Sequence, residues 1–315
     1  MIRLKMGTPI AWEETRSGWN YVMKLLSPFN DESGILFDGT LDQSFGYGWY
    51  DKKEKGIIPY KEPWIGFIHS TIDLCPFLKD EYLLLDEIIL SEHFSESLTH
   101  CKGIFTLSEY LAQYIRKKLI DRVKVESLKH PTELPSVHFK MEKFLAEKKI
   151  VQAGVWLRRI SSFYQLDAPQ YKKILLLNPR LLGYLGSELN YYEDLRIDFK
   201  SVEIVHHLPN DEYDRLLSES IMFLHLCDSS ASNTVIECMA RGTPLLVNPL
   251  EPVTEYLGKD YPFYYSTLKE ASEKLSDIAL IKKTADYLKQ FPGSKEVTGE
   301  YFINSFLNSG IIKSL

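Results

Sequence analysis

The stretch SSASNTVIECMARGTPLLVNP, residues 229–249, combines small polar residues with one acid in a way that suits phosphate and ribose binding. Ser232, Asn233 and Thr234 fall where a helix is expected to begin, and the free N–H groups of a helix N-terminus attract anions. Glu237 follows one turn later, where its carboxylate could accept hydrogen bonds from ribose hydroxyls. The spacing of Thr234 and Glu237 also fits a capping box, so spacing alone leaves both interpretations open.

Two adjacent arginines give a second candidate for phosphate binding. Arg158 and Arg159 follow the turn at Gly154 in the stretch KIVQAGVWLRRISSF, residues 149–163. Arginine binds phosphate in a bidentate manner, although a solvated basic turn is the alternative for any isolated pair. Both features follow strands of one predicted sheet, so they could meet at one edge and hold a diphosphate. A positive helix end with arginines could then stabilise a leaving diphosphate without a metal ion.

The first half of the chain supplies candidates for contact with an acceptor. His69 ends the apolar run WIGFIH and could bind a sugar or act as a general base, or it could be an ordinary histidine at a strand end. Gly18 precedes a predicted helix, and the loop around it carries Glu13, Arg16 and Trp19. Glu13, Arg16, Gly18 and Trp19 are the candidates for acceptor binding.

Apolar runs that alternate with amphipathic segments must position these residues. Short, fully apolar runs predict buried parallel strands, and the segments 108–119, 210–220 and 233–241 predict helices. The predicted strands are GILFDG (34–39), WIGFIH (64–69), EIILSE (87–92), GIFTLS (103–108), KIVQAG (149–154), KILLLN (173–178), VEIVHH (202–207), IMFLHL (221–226) and PLLVNP (244–249). The alternation predicts an α/β protein with two Rossmann-like, doubly wound domains facing a cleft.

The domain boundaries follow from composition. A charged segment near 140–148 has no strand pattern, so we expect a first domain over residues 1–145 and a second over 146–290. The remaining residues, 291–315, read as a C-terminal helical segment that packs back on the first domain. A length of 315 residues suits two domains of ordinary size.

Composition narrows the class of protein and its partners. The net charge of -6 argues against a general nucleic-acid binder, and no apolar run is long enough to span a membrane. The N-terminal residues do not resemble a secretory signal. The four cysteines have no metal-binding spacing, so we expect free thiols, a cytoplasmic protein, and neither a metal ion nor another cofactor.

A longer segment carries a family resemblance. Residues 206–258, with Glu237-Cys238-Met239-Ala240-Arg241-Gly242-Thr243-Pro244 after a serine-containing loop, resemble the donor-binding half of GT-B glycosyltransferases, in particular glycosyltransferase family 4. Residues 103–119 and 123–133 are similar to the end of that family's first domain. The resemblance implies a hexosyl- or pentosyltransferase that moves a sugar from a UDP- or GDP-linked donor to a glycan, lipid-linked or other hydroxyl acceptor.

The resemblance also implies residue roles. Glu237 would hold the ribose, the backbone around Ser232, Asn233 and Thr234 would bind the diphosphate with Arg158 and Arg159, and Leu208 would lie near the base. The family usually has a second glutamate where this chain has Ser229, beside Asp228, near the transferred sugar. We expect a metal-independent, retaining reaction, with Ser229, Asp228 and His69 as the catalytic candidates. A sugar-nucleotide epimerase and a non-catalytic nucleotide-sugar binding module stay open as alternatives.

Overall fold

The computed structural model describes residues 2–6, 17–120, 122–178, 181–206 and 208–315. The strands in this part of the chain are β1 Leu4–Met6, β2 Ile35–Asp38, β3 Trp64–Ile68, β4 Cys101–Thr106, β5 Val125–Ser127, β6 Lys149–Ala153, β7 Lys172–Leu176, β8 Glu203–Val205, β9 Ser220–Leu224 and β10 Leu245–Val247. The α-helices are α1 Trp19–Leu26, α2 Trp49–Glu54, α3 Leu85–Ile89, α4 Glu92–Leu98, α5 Glu109–Leu119, α6 Met141–Glu147, α7 Ile160–Gln165, α8 Leu182–Tyr191, α9 Asn210–Ser218, α10 Asn233–Arg241, α11 Glu251–Leu257, α12 Leu268–Ser276, α13 Ile278–Gln290, α14 Gly299–Asn308 and α15 Gly310–Lys313.

The chain forms two compact units, and each unit is made of more than one stretch of sequence. The first unit comprises Met1–Asp73, Lys79–Glu133 and Glu296–Leu315, and the second comprises Leu74–Leu78 and Leu134–Lys295. The division therefore falls at residues 133–134 rather than at 145, and helix α6 counts with the second unit. The C-terminal helices α14 and α15 belong to the first unit.

The first unit is built on a five-stranded parallel sheet with the order β1-β2-β3-β4-β5. Its strands are short and apolar, and all five residues of β3 are buried, as expected for a sheet covered on both faces. Phe302 and Phe306 of α14 pack on Phe67 and Phe105 of the sheet, with ring centroids 6.3 and 5.4 Å apart. Ser108 caps α5 by accepting a hydrogen bond from the backbone N–H of Leu111.

The second unit has a five-stranded parallel sheet with the order β10-β9-β6-β7-β8. Strand β6 pairs with β7 on one side and with β9 on the other. Strands β7 and β8 therefore extend the sheet in one direction from β6, and β9 and β10 extend it in the opposite direction. In open α/β sheets, ligands bind beyond the carboxyl ends of the strands at such a switch point. The loops after β6 and β9 are therefore the place to look for a site.

The prediction of an α/β protein with two parallel sheets is confirmed. All but one of the predicted strands are present, and the exception is EIILSE, which forms the end of helix α3. A short apolar run is compatible with a buried helix as well as with a strand, and Glu87 favours the helix by accepting a hydrogen bond from the backbone N–H of Leu84. Strands β1 and β5, of three residues each, were not predicted because their apolar signal is so short.

The expectation that all cysteines are free thiols is wrong. Cys75 and Cys227 form a disulfide within the second unit, with Cα atoms 5.2 Å apart, whereas Cys101 and Cys238 are free. The two partners are 152 residues apart, so no spacing rule could reveal their proximity. None of the helices described above combines the length and apolar character needed to cross a membrane.

Candidate functional site

The loop after β6 is held in an unusual backbone conformation. Gly154 and Leu157 both have positive φ angles, of 74° and 59°. A Cβ atom on Gly154 would lie 3.3 Å from the guanidinium of Arg158, so glycine allows that side chain to lie against the turn. The backbone N–H of Cys227 donates to the Leu157 carbonyl and that of Arg159 donates to the His225 carbonyl, both at 2.9 Å. The loops after β6 and β9 are thereby joined.

Arg158 lies between these two loops. Its guanidinium donates to the Trp156 carbonyl at 2.8 Å and to Oγ1 of Thr234 at 3.2 Å, and its buried Nε has no partner in the described part of the chain. Burial lowers the pKa of Arg158 to about 10, and the nearness of Tyr213 and Glu237 opposes that shift. The group is therefore still a cation at neutral pH, placed beside the start of α10.

Arg159 points to different partners. Its Nε lies 3.5 Å from Oε1 of Glu188, a fully buried carboxylate, and its guanidinium lies 4.6 Å from the centre of the Tyr192 ring. Ser161 holds the same carboxylate through its backbone N–H and its hydroxyl. The two adjacent arginines are thus separated by the fold, and the phosphate-clamp role of Arg159 stays a prediction.

The N-terminus of α10 does not have the capping-box arrangement. The N-cap is Ser232, it makes no side-chain cap hydrogen bond, and Asn233 is the first helical residue. Thr234 lies inside the helix, where its hydroxyl accepts from Arg158. The hydroxyl oxygens of Ser230 and Ser232 are buried without a partner among the described residues. Hydroxyls in this position, beside a helix N-terminus and an arginine, can donate hydrogen bonds to an anion.

Glu237 lies one turn into α10 and is only 3% exposed. The hydroxyl of Tyr213, on α9, donates a hydrogen bond to its Oε2. Burial and the neighbouring carboxylate raise the pKa of Tyr213 well above its usual value, so this hydroxyl stays a donor. The carboxylate is therefore held in a fixed orientation by a partner that the sequence did not reveal.

A buried ion pair supports the same helix. Arg241, fully buried at the end of α10, contacts Asp214 of α9 through Nη2 and donates to the Glu237 carbonyl through Nη1 at 3.2 Å. Gly242 follows with a φ of 69° and ends the helix, as its position in the sequence predicted. Glu237 is thus held by Tyr213 at its side chain, and the C-terminus of its helix is held by the ion pair of Arg241 with Asp214.

The remaining second-unit candidates lie near this helix or before α9. Asp228 and Ser229 are buried, and Oδ1 of Asp228 accepts from the backbone N–H of Ser229 at 2.7 Å. Leu208 is partly buried just before α9. Their predicted contacts with the transferred sugar and the base stay predictions.

In the first unit, His69 follows β3 at the carboxyl edge of the sheet. Its backbone N–H donates to Oδ1 of Asp42 at 3.1 Å, and its ring donates to the Gly39 carbonyl. The buried Nε2 has no partner in the described residues, so it is the ring nitrogen available to accept a hydrogen bond. Burial lowers the pKa of His69 to about 4, which keeps the imidazole neutral at neutral pH.

Aromatic and acidic groups surround this histidine. The ring of Trp19 lies 4.0 Å from that of His69 and 6.1 Å from that of His130, and its Nε1 has no partner among the described residues. Gly18 is the N-cap of α1. Burial raises the pKa of Asp42 to about 6. The predicted acceptor residues Glu13 and Arg16 lie outside the described residues.

Sequence reasoning missed several residues of these sites. Asp42 and His130 follow strands, as His69 does. His69 was a candidate because it ends a predicted strand, and His130 would have been one for the same reason if β5 had been predicted. Tyr213, Asp214 and Arg241 are helical, and nothing in their spacing shows that they meet around Glu237. Within the described ranges, no three His, Cys, Asp or Glu side chains lie close enough together to hold a metal ion.

Solved structures share this fold. HepE from Anabaena, in complex with UDP-glucose, is 11% identical over 94% of this chain and 82% of its own, with a TM-score of 0.61. TarM of S. aureus is 12% identical over 91% of this chain and 56% of its own, with a TM-score of 0.59. Sucrose-phosphate synthase from Thermosynechococcus elongatus is 13% identical over 89% of this chain and 71% of its own, with a TM-score of 0.55.

These comparisons establish the fold, which is that of the GT-B glycosyltransferases. The chain spans less than two thirds of the length of TarM and of the matched chain in the GtfA/B complex, which it covers to 56% and 60%. No protein-family model matches the sequence, and no curated protein matches it by sequence.

Proposed function

We propose that this protein transfers a sugar from a nucleotide sugar to a hydroxyl acceptor. The observation that carries the proposal is the N-terminus of α10, where the cation of Arg158 and the buried carboxylate of Glu237 come together with the hydroxyls of Ser230 and Ser232. These two hydroxyls have no partner among the described residues. A cation and a helix N-terminus suit a diphosphate, and a carboxylate one turn away suits the ribose. The GT-B fold, shared with HepE in complex with UDP-glucose, supports a nucleotide-sugar donor, which we propose is UDP- or GDP-linked.

The proposed reaction is retaining and needs no metal ion. The bond between the anomeric carbon and the diphosphate oxygen breaks, the acceptor oxygen bonds to that carbon, and the acceptor proton passes to the leaving diphosphate. Arg158 and the N–H groups of α10 stabilise the charge that develops on the diphosphate. Asp228 and Ser229, which follow β9, contact the transferred sugar in this proposal.

For the first unit, we propose that His69 and Trp19 bind the sugar or the acceptor. The neutral imidazole of His69 offers Nε2 as a hydrogen-bond acceptor, and the Trp19 indole offers Nε1 as a donor. Both atoms are buried, so a ligand hydroxyl that pairs with them removes the cost of leaving them unsatisfied. Glu13 and Arg16, which lie outside the described residues, stay predicted contacts of the acceptor.

A thermal-shift titration against UDP, GDP, ADP and their sugars tests the proposal, because a ligand that binds only the native state raises the melting temperature. Glu237→Gln is expected to weaken nucleotide binding by about 1–3 kcal/mol. Tyr213→Phe keeps the carboxylate but removes the hydroxyl that orients it, so its loss of nucleotide affinity is expected to be smaller than that of Glu237→Gln. Unchanged affinity in Glu237→Gln, with the fold intact, contradicts the ribose assignment.

Product analysis then separates the reaction classes. Mass spectrometry with the bound nucleotide sugar and a panel of hydroxyl acceptors is expected to show a glycosylated product, with full activity in EDTA. Conversion of the donor without an acceptor identifies an epimerase, and binding without turnover identifies a binding module. Either result rejects glycosyl transfer.

A cytoplasmic location was expected from the N-terminal residues and the cysteine spacing. The disulfide between Cys75 and Cys227 bears on that proposal, since disulfides persist mainly in oxidising compartments. Alkylation of thiols at the moment of cell lysis, followed by mass spectrometry of the Cys75 and Cys227 peptides, shows which state the cell maintains. A fully reduced pair supports the cytoplasm, and an oxidised pair argues against it.

A further inference from the structure

A cavity lies in the second unit, beyond the end of α8. It has a volume of about 540 Å³ and is lined by Arg159, Gln165 and residues 191–195. None of the residues of α10 or of the loop after β9 lines it. Its volume falls within the range of small-molecule sites, about 300–1,000 Å³. The cavity is therefore a candidate binding site with its own set of residues.

The cavity offers an aromatic surface. Tyr191 is 55% exposed, and its ring centroid lies 4.9 Å from that of Tyr192 at an interplanar angle of 80°. Tyr192 is held from other sides, by the guanidinium of Arg159 at 4.6 Å and by the ring of Phe77 at 6.5 Å. Tyr192 therefore acts as a fixed support, and Tyr191 is the ring whose surface a ligand can cover.

The polar groups of the cavity are free to bind a ligand. The side chains of Gln165, Glu193 and Asp194 are exposed and make no hydrogen bond or ion pair to any residue that the structure describes. The positive charge of Arg159 lies beside buried Glu188, so the carboxylates of Glu193 and Asp194 leave the cavity with an excess of negative charge. Such a lining disfavours phosphates and acidic sugars, and its carboxylates accept hydrogen bonds from hydroxyls.

We propose that this cavity binds an uncharged saccharide. The face of one sugar ring packs on Tyr191, and Glu193, Asp194 and Gln165 bind its hydroxyls. Binding at this site needs no nucleotide, so it is a property separate from the proposed glycosyl transfer. The proposal gives Arg159 a role in shaping this cavity, through Tyr192, in place of a contact with the diphosphate.

Saturation-transfer NMR on the full chain, without nucleotide, tests the proposal with maltotetraose, cellotetraose, chitotetraose and mannotetraose as probes. At least one neutral probe is expected to bind. Tyr191→Ala is expected to weaken it about tenfold, as the loss of a stacked aromatic surface requires. Tyr301→Ala, which removes another exposed tyrosine on α14, is the matched control and is expected to leave binding unchanged.

Two further measurements define the ligand class and the site. Glu193→Gln combined with Asp194→Asn is expected to weaken the binding of the neutral probe. Polygalacturonate fragments, which are anionic, are expected to bind less well than neutral probes. The proposal is overturned if no neutral probe binds, if Tyr191→Ala binds as the parent does, or if the anionic probe binds best. UDP thermal shifts on the same samples report on the donor site independently.

Discussion

Nη2 of Arg158 donates a hydrogen bond of 3.2 Å to Oγ1 of Thr234, a residue 76 positions further along the chain. The bond joins the loop after β6 to the first turn of α10, and so spans the point where the strand order of the second sheet reverses. It places a guanidinium beside a helix N-terminus. The side-chain cation and the positive end of the helix dipole therefore lie next to each other, an arrangement that favours an anion.

The contrast between the two adjacent arginines gives the first prediction. Arg158→Ala is expected to weaken the binding of UDP by about 1.5–3 kcal/mol, the contribution of a hydrogen bond to a charged group. It is expected to affect the binding of uridine much less. Arg159→Ala is expected to leave UDP affinity almost unchanged, because its guanidinium lies between Glu188 and Tyr192. Calorimetry with both ligands measures the difference. Equal losses in the two variants contradict this division of roles.

Acid is expected to destabilise the protein through His130. This imidazole is 4% exposed, and burial lowers its pKa to about 4. The unfolded chain, with an ordinary pKa near 6.5, binds more protons between these values, so stability is lost as pH falls from about 6.5 to 4. The loss is on the order of 3 kcal/mol. Urea unfolding of His130→Asn across this range is expected to show a shallower decline.

Asp42 provides a control of opposite sign. Burial raises its pKa to about 6, so the folded state binds more protons than the unfolded state between about pH 4 and 6. Its contribution to stability is present at low pH and is lost as pH rises through that range. Asp42→Asn is therefore expected to make the acid decline steeper. If stability declines with falling pH at the same slope in the parent, His130→Asn and Asp42→Asn, these two residues do not cause the acid dependence.

The buried pair Asp214–Arg241 is expected to be costly to break. The side chains are 4% and 0% exposed, so Asp214→Ala leaves a buried cation without its partner and is expected to cost about 3–5 kcal/mol. The exposed pair Lys282–Asp286 is the matched control, and Asp286→Ala is expected to cost less than about 1 kcal/mol. Urea unfolding measures both. Similar small losses would show that the buried pair is not a structural requirement.

The disulfide is expected to stabilise the second unit. Cys75→Ser is expected to lower the free energy of unfolding by about 2–4 kcal/mol, because the bond restricts the unfolded chain over a long loop. Cys101→Ser, at a free cysteine, is the control and is expected to have a much smaller effect. Dithiothreitol is expected to lower the melting temperature of the parent protein but not that of Cys75→Ser. An unchanged melting temperature on reduction would contradict it.

The strand and helix pattern of the second unit could be predicted because its signals are local. Fully apolar runs such as IMFLHL, the N-terminal polar cluster of α10 and the stop at Gly242 each depend on residues close together in the sequence. The run EIILSE was interpreted wrongly because an apolar run this short fits either a strand or a buried helix.

The side-chain contacts of the candidate site could not be predicted in the same way. Whether Thr234 caps α10 or accepts from Arg158 depends on a loop 76 residues away. The separation of Arg158 from Arg159 depends on Glu188 and Tyr192, and the orientation of Glu237 depends on Tyr213. Each of these contacts is set by tertiary packing, which leaves no periodic signal in a single sequence.

The second unit is assembled from two separate stretches of sequence, Leu74–Leu78 and Leu134–Lys295. An expression fragment that starts at residue 134 would therefore contain Cys227 with no partner, beside Asp228 and Ser229. Exchange of this unit between homologous proteins, or its isolation for crystallisation, has to transplant the five-residue piece as well. Modular engineering of this protein must follow its three-dimensional boundaries and not a single cut in the gene.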